Sequence, residues 1–193
     1  AGQYLTLRLD IDGQNVRRAF SLSSSPVTDD NLSVTIKRVE GGLVSNYIKD
    51  NLFAGNELEV MQPTGKFTAE PDAETKHHYI LLGAGSGITP LMSILKTVLE
   101  AAPDSYVSLL YGNRTKDSII FYDKLQDMSE QYGDRLHVIH RLSKPNFFWQ
   151  GEKGRCDYDR VKTFVQARRE AVGLEADVYM CGPVGMMDDA QKA

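Results

Sequence analysis

A small antiparallel β-barrel followed by a doubly wound parallel α/β sheet is the fold class predicted by this sequence of 193 residues, on three observations. The first third of the chain alternates apolar and polar residues with period two, as half-buried strands do. From His77 onward, apolar runs of strand length alternate with stretches of helical spacing, the pattern of a parallel sheet covered on both faces. Between these regions lies a polar, proline-containing segment, Thr68 to Lys76. The predicted domains are residues 1–72 and 73–193.

In the first domain QYLTLRL, VRRAFSL, LSVTIKR and ELEVM read as four strands. GGLVSNYIKDNL, with Leu43, Tyr47, Ile48 and Leu52 at helical spacing behind two glycines, reads as one short helix. In the second domain HHYILLGAG is a buried strand, and the helix after it places Leu91, Ile94, Leu95, Val98 and Leu99 on one face. The strand–helix pair recurs with YVSLLYGN before IIFYDKLQDMSEQY, RLHVIHRLS before DYDRVKTFVQARREA, and ADVYMCGP before VGMMDDAQKA. The expected strand order is 3-2-1-4, which sets the carboxyl ends of the first and fourth strands beside the switch-point crevice. The first strand of the barrel and the last strand of the parallel sheet are expected to lie outside this sequence.

Hydrophobic residues make up 41% of the chain and charged residues 25%, enough for a buried core and too little charge bias for disorder. A net charge of -4 argues against nucleic acid as the partner. Two cysteines make no disulfide framework, and the four histidines show no zinc spacing. A cytoplasmic location is expected on that basis. No apolar run reaches the roughly 20 residues of a membrane helix, so no membrane partner is expected.

GAGSGITP, Gly83 to Pro90, follows a buried strand and opens a helix. In that setting Gly85, Ser86 and Gly87 let a pyrophosphate approach the backbone, while the helix N-terminus offers unpaired N–H groups. Thr89 is expected to cap the helix and Pro90 to take its first position. A tight turn with no ligand is the alternative. The pattern is GxGxxP, where an ordinary dinucleotide loop would show GxGxxG. Cys181, Gly182 and Pro183 end the fourth strand and should face the same crevice. A thiol there would pack against a reactive ring, because a nucleophilic cysteine would need a base and no histidine is near in sequence.

RRAFSLSSSP, Arg17 to Pro26, puts two arginines, an aromatic and four serines in ten positions. Arg18, Phe20 and Ser21 suit a flavin, with guanidinium on the pyrophosphate, ring against the isoalloxazine and hydroxyl near a ring nitrogen. A surface strand with a cation stacked on an aromatic is an equal reading of these residues alone.

Taken together, these motifs resemble those of the ferredoxin–NADP reductase superfamily. Its RxFS motif is matched by Arg18, Ala19, Phe20 and Ser21, and its second flavin motif by Gly42, Leu43, Val44 and Ser45. PTGKF, Pro63 to Phe67, resembles the barrel exit. GAGSGITP and CGPVGMM, which ends near Met186, resemble the nicotinamide motifs. RAFSLSSSP, YGNRTKDSIIF and CGPVGMMDDA look most like the reductase components of bacterial multicomponent oxygenases, those of the phenylacetyl-CoA epoxidase type among them. The resemblance implies a flavin-binding Greek-key barrel before an NAD(P)-binding domain. It also implies FAD as cofactor and electron transfer from a nicotinamide dinucleotide to an iron–sulfur domain or oxygenase component. A [2Fe–2S] centre is expected only in a further C-terminal module. Ser21 and Cys181 would border the reacting rings. Asn113, Arg114 and Lys116 would meet the adenosine ribose, favouring NADPH, with NADH possible. The alternative is a flavin-binding electron-transfer or regulatory subunit that does not oxidise free NAD(P)H.

Overall fold

The computed structural model describes all 193 residues. Strands β1 (Tyr4–Ile11) and β2 (Gln14–Ser21) form a hairpin whose two-residue turn, Asp12-Gly13, has positive φ at both positions. That turn matches the right-handed twist of the flanking strands. Leu5, Leu7, Leu9 and Ile11 are buried on one face of β1. Helix α1 (Leu43–Asn51) closes this face, with Val44 buried against Leu9 and Ile11. Strand β3 (Glu59–Val60) pairs on the other side of β1, giving the order β2-β1-β3.

Two of the four predicted strands are shorter than their alternation suggests. LSVTIKR makes a single bridge, Val34 to Leu22. Beside it the Ser24 hydroxyl accepts the Ser33 N–H at 2.9 Å, where a ladder would use a carbonyl, so a side chain ends the pairing. ELEVM keeps two ladder residues. The register to β1 then slips by one residue before Tyr4 pairs with Thr64. Pro63, which has no N–H to donate, sits in that bulge.

The second sheet contains β4 (His78–Ala84), β5 (Tyr106–Asn113), β6 (Leu136–Leu142), β7 (Glu152–Lys153) and β8 (Ala176–Cys181). Their order is β7-β6-β5-β4-β8 and every pair is parallel. The expected 3-2-1-4 order is present, with β7 as an additional two-residue edge. Helices α2 (Ile88–Ala101) and α3 (Tyr122–Tyr132) cover one face over Tyr79, Leu81, Leu109 and Tyr111. Helices α4 (Tyr158–Val172) and α5 (Val184–Lys192) cover the other over Ile80, Leu82 and Leu110. Alternate residues of each strand are thus buried on opposite faces, which is why the sequence shows continuous apolar runs. No helix is long and apolar enough to cross a membrane.

Helix α2 starts earlier than its sequence suggests. A 3-10 turn, Gly85–Gly87, runs directly into Ile88, so Gly87 is the N-cap and no side chain caps the helix. Thr89 lies inside the first turn, and its hydroxyl donates to the Ser86 carbonyl at 3.0 Å. Pro90 follows it, still within the first turn, where a missing N–H removes no helical bond.

Candidate functional site

One cleft of about 1710 Å³ opens at the carboxyl ends of β4, β5 and β8 and extends to the end of β2 and the start of α1. Seven lysines and arginines line it against three aspartates, in a chain whose net charge is -4. This concentration of positive charge suits a ligand carrying several phosphates.

On the barrel side, the β1–β2 register pairs Leu7 with Arg18 and Leu5 with Phe20. Facing residues of an antiparallel pair share a side, so Arg18 and Phe20 lie on the face that carries the core. Phe20 packs on the Leu9, Ile11 and Val44 cluster, while Arg18 is exposed and folds back to donate to the Arg17 carbonyl at 2.8 Å. Arg17 faces Arg8 on the opposite side. Ser21 is also on that opposite side by alternation, yet it lines the cleft with Ala19 because the cleft lies around the end of β2.

Gly42 caps α1 with no side-chain hydrogen bond. The N–H groups of Leu43, Val44 and Ser45 therefore occupy the free first turn. The Ser45 hydroxyl is already engaged, accepting the Val39 N–H at 3.1 Å, so this cradle presents backbone donors. Lys37 and Arg38 also line the cleft. They sit at the polar end of LSVTIKR, and a strand ending in two cations was the only sequence signal for them.

On the sheet side the two glycine-rich loops are in backbone contact. A Cβ on Gly87 would collide with the Cys181 carbonyl, and one on Gly182 would stand 2.9 Å from Met186 Sδ. Tyr111, fully buried, donates its phenol to the Gly85 carbonyl at 2.8 Å and holds the first loop from below. Burial pushes that phenol up to about 12, so it remains a donor. Cys181 is half-buried and its thiol is also pushed up by burial. It is a neutral packing group at neutral pH.

At the far end of the cleft the loops after β5 and β6 are joined. Ser143 N–H donates to the Asn113 carbonyl at 2.9 Å and Lys144 N–H to the Arg114 carbonyl at 2.8 Å. Asn113 and Arg114 line the cleft as expected, together with Ser143, Lys144 and Arg155. Asn113 is buried and both polar atoms of its amide are without a partner, which marks a place for a polar ligand. Lys116 does not line the cleft. Its ammonium stands over the Tyr122 ring, 4.8 Å from the centroid, although Thr115 and Ser118 on either side of it line the opening. Lys144 and Arg155 were missed in the sequence because a parallel sheet joins loops that are far apart in the chain.

Ser23, Ser24 and Ser25 are buried and hold other protein groups: Ser23 contacts Thr35 at 2.9 Å and Ser25 contacts Thr97 at 2.8 Å. Only Ser21 of the serine run reaches the cleft.

The residues present fit both expected cofactors. Seven cationic side chains line the cleft, the α1 N-terminus is free of side-chain caps, and the Asn113 amide is unpartnered.

Residues 1–69 match the oxidoreductase FAD-binding domain family and residues 81–192 the oxidoreductase NAD-binding domain family. The chain is 37% identical over 192 residues to a component of the 1,2-phenylacetyl-CoA epoxidase of Escherichia coli K12, covering 100% of this chain and 53% of that protein. It is 40% identical over 194 residues to the ferredoxin reductase component of 3-ketosteroid-9-alpha-monooxygenase of Rhodococcus rhodochrous, covering 100% and 50%. Among solved structures, the Amycolatopsis cytochrome P450 reductase GcoB superimposes with a TM-score of 0.80 at 27% identity, over 100% of this chain and 55% of that one. The chain thus spans about half the length of the curated relatives it matches.

Proposed function

The chain belongs to the ferredoxin reductase-type oxidoreductases built of an FAD-binding and an NAD-binding domain, and from that premise we propose that it is the reductase part of an oxygenase system. Its role would be to draw electrons from NAD(P)H through FAD toward an iron–sulfur or protein acceptor. The observation that carries this reading is the single cleft shared by Arg18, Phe20, Ser21 and the α1 N-terminus on one wall and both glycine loops on the other. FAD bound there would accept hydride from the nicotinamide and release electrons singly.

The protein groups bind and orient. Arg18 would pair with the FAD pyrophosphate, the first-turn N–H groups of α1 would donate to it, and Phe20 would back the isoalloxazine. Ser21, at the cleft, would place its hydroxyl to donate to the flavin ring. The Gly85–Gly87 backbone would receive the second pyrophosphate, and Thr89 and Cys181 would border the nicotinamide. Cys181 excludes water and takes no proton. Arg114, Lys144 and Arg155 form the adenosine end and favour a 2′-phosphate, so NADPH is the preferred donor. The division between the two units falls near residue 72. Unpaired Cys156 and Cys181, with the Cys156 thiol pushed up to about 11 by burial, suit a reducing cytoplasm.

Cofactor extraction and dye reduction test the proposal together. Purified chain should release FAD and reduce ferricyanide with NADPH. Release of FMN alone would refute the two-phosphate cradle. Bound FAD without ferricyanide reduction would instead indicate a flavin-binding electron-transfer subunit.

A further inference from the structure

A closed set of hydroxyl groups joins the barrel to α2, and none of the binding roles above uses it. Ser93 is fully buried. Its Oγ accepts the Gly2 N–H at 3.2 Å and donates to the Ser24 carbonyl at 2.6 Å. One turn further along α2, Thr97 Oγ1 donates to the Ser93 carbonyl at 2.8 Å and lies 2.8 Å from Ser25 Oγ. Thr97 has one hydroxyl proton and its own helix takes it, so Ser25 must donate to Thr97. Ser25 Oγ in turn accepts the Val27 N–H at 3.1 Å. Every proton in the set therefore has one direction. Ser93, Ser25 and Thr97 are 0%, 1% and 4% exposed, and the Ser25 N–H donates to Asp29, which pairs with Lys96.

The place of this set in the chain matters as much as its completeness. Ser24 and Ser25 follow Ser21 by three and four residues, and Ser93 and Thr97 follow Thr89 by one and two turns. Resting on the function proposed above, we infer that Ser93 and Thr97 are positioning residues that hold the flavin wall and the nicotinamide wall of the cleft in one register. An apolar contact of similar area would tolerate sliding. A saturated buried network does not, because any shift leaves a hydroxyl or carbonyl without a partner. Reacting atoms need to lie about 3–3.5 Å apart, and a misplacement of about 1 Å costs on the order of a hundredfold in rate.

The test uses Ser93→Ala and Thr97→Val, with Thr97→Ser as the conservative variant that keeps the hydroxyl. Backbone hydrogen exchange of residues 22–28 and 93–101 should quicken by about tenfold or more in the first two, as local opening becomes easier. FAD content and NADP⁺ affinity should stay within about twofold, while flavin bleaching at saturating NADPH slows by about tenfold or more. Thr97→Ser should restore both exchange and bleaching. Thr97→Val is nearly isosteric and carries the test if Ser93→Ala does not fold. Unchanged exchange and bleaching in a folded variant would overturn the inference. So would a loss of NADP⁺ or FAD affinity as large as the loss in rate, since the residues would then act on ligand binding. The exchange measurement needs no turnover. A wild-type chain that protects these amides but fails to bleach with NADPH would sink the proposed function and leave the joint standing.

Discussion

Arg17 and Arg18 are neighbours in sequence and opposites in place, because a strand sends successive side chains to opposite faces. The register puts Arg18 on the core face with Phe20, at the cleft, and Arg17 against Arg8. A charge-assisted hydrogen bond to phosphate is worth about 1.5–3 kcal/mol. Arg18→Ala should therefore purify depleted of flavin, with an affinity roughly ten- to a hundredfold weaker, and Arg17→Ala should keep its flavin. Titration of the apoprotein with FAD measures both, and the reverse ranking would place the motif one residue off. This pair was legible from alternation alone. Gly87 was legible as a glycine of a strand-to-helix loop, but the Cys181 carbonyl that forbids a Cβ there belongs to another strand and could not be read.

At the scale of elements, the order of the parallel sheet follows from the strand–helix alternation, while the ends of elements were decided by side chains. Ser24 terminated one predicted strand by taking the N–H of Ser33, and Pro63 interrupted another. The serine run reads as a ligand-binding stretch in sequence, yet three of its four hydroxyls are spent on protein contacts. Loop-to-loop bonds are the other part the sequence hides. Asn113 to Ser143 and Arg114 to Lys144 place Lys144, with Arg155, where Lys116 was expected. Arg155→Ala and Arg114→Ala should each raise KM for NADPH about tenfold and leave KM for NADH within about twofold, as loss of one phosphate pair does. Steady-state kinetics with both donors checks this, and equal effects on the two would contradict a 2′-phosphate role.

The whole molecule should be acid-labile because two of its histidines are buried without charge. His140 lies between the rings of Tyr111 and Tyr122, with neither ring nitrogen partnered, and burial lowers it to about 4. His78, fully buried beside Ser108, is also lowered to about 4, by burial first and then by Arg168. Both are depressed below the unfolded value of about 6.5, so the unfolded chain binds more protons between these limits. Stability is full above pH 6.5 and falls as pH drops toward 4, by about 1.4 kcal/mol per pH unit for each group that must stay neutral. His140→Phe should raise the thermal midpoint at neutral pH and flatten the decline between pH 6.5 and about 5, as followed by calorimetry. A parallel decline in the two proteins would show that His140 protonates freely in the native state.

The proposed reaction requires one cleft to bring a nicotinamide and a flavin into reacting distance, and anaerobic mixing of the FAD-loaded chain with NADPH tests this. The visible flavin absorbance should bleach in a single stoichiometric turnover, slowed when the transferred hydrogen of NADPH is replaced by deuterium. Full FAD occupancy with measurable NADPH binding and no bleaching would contradict the account.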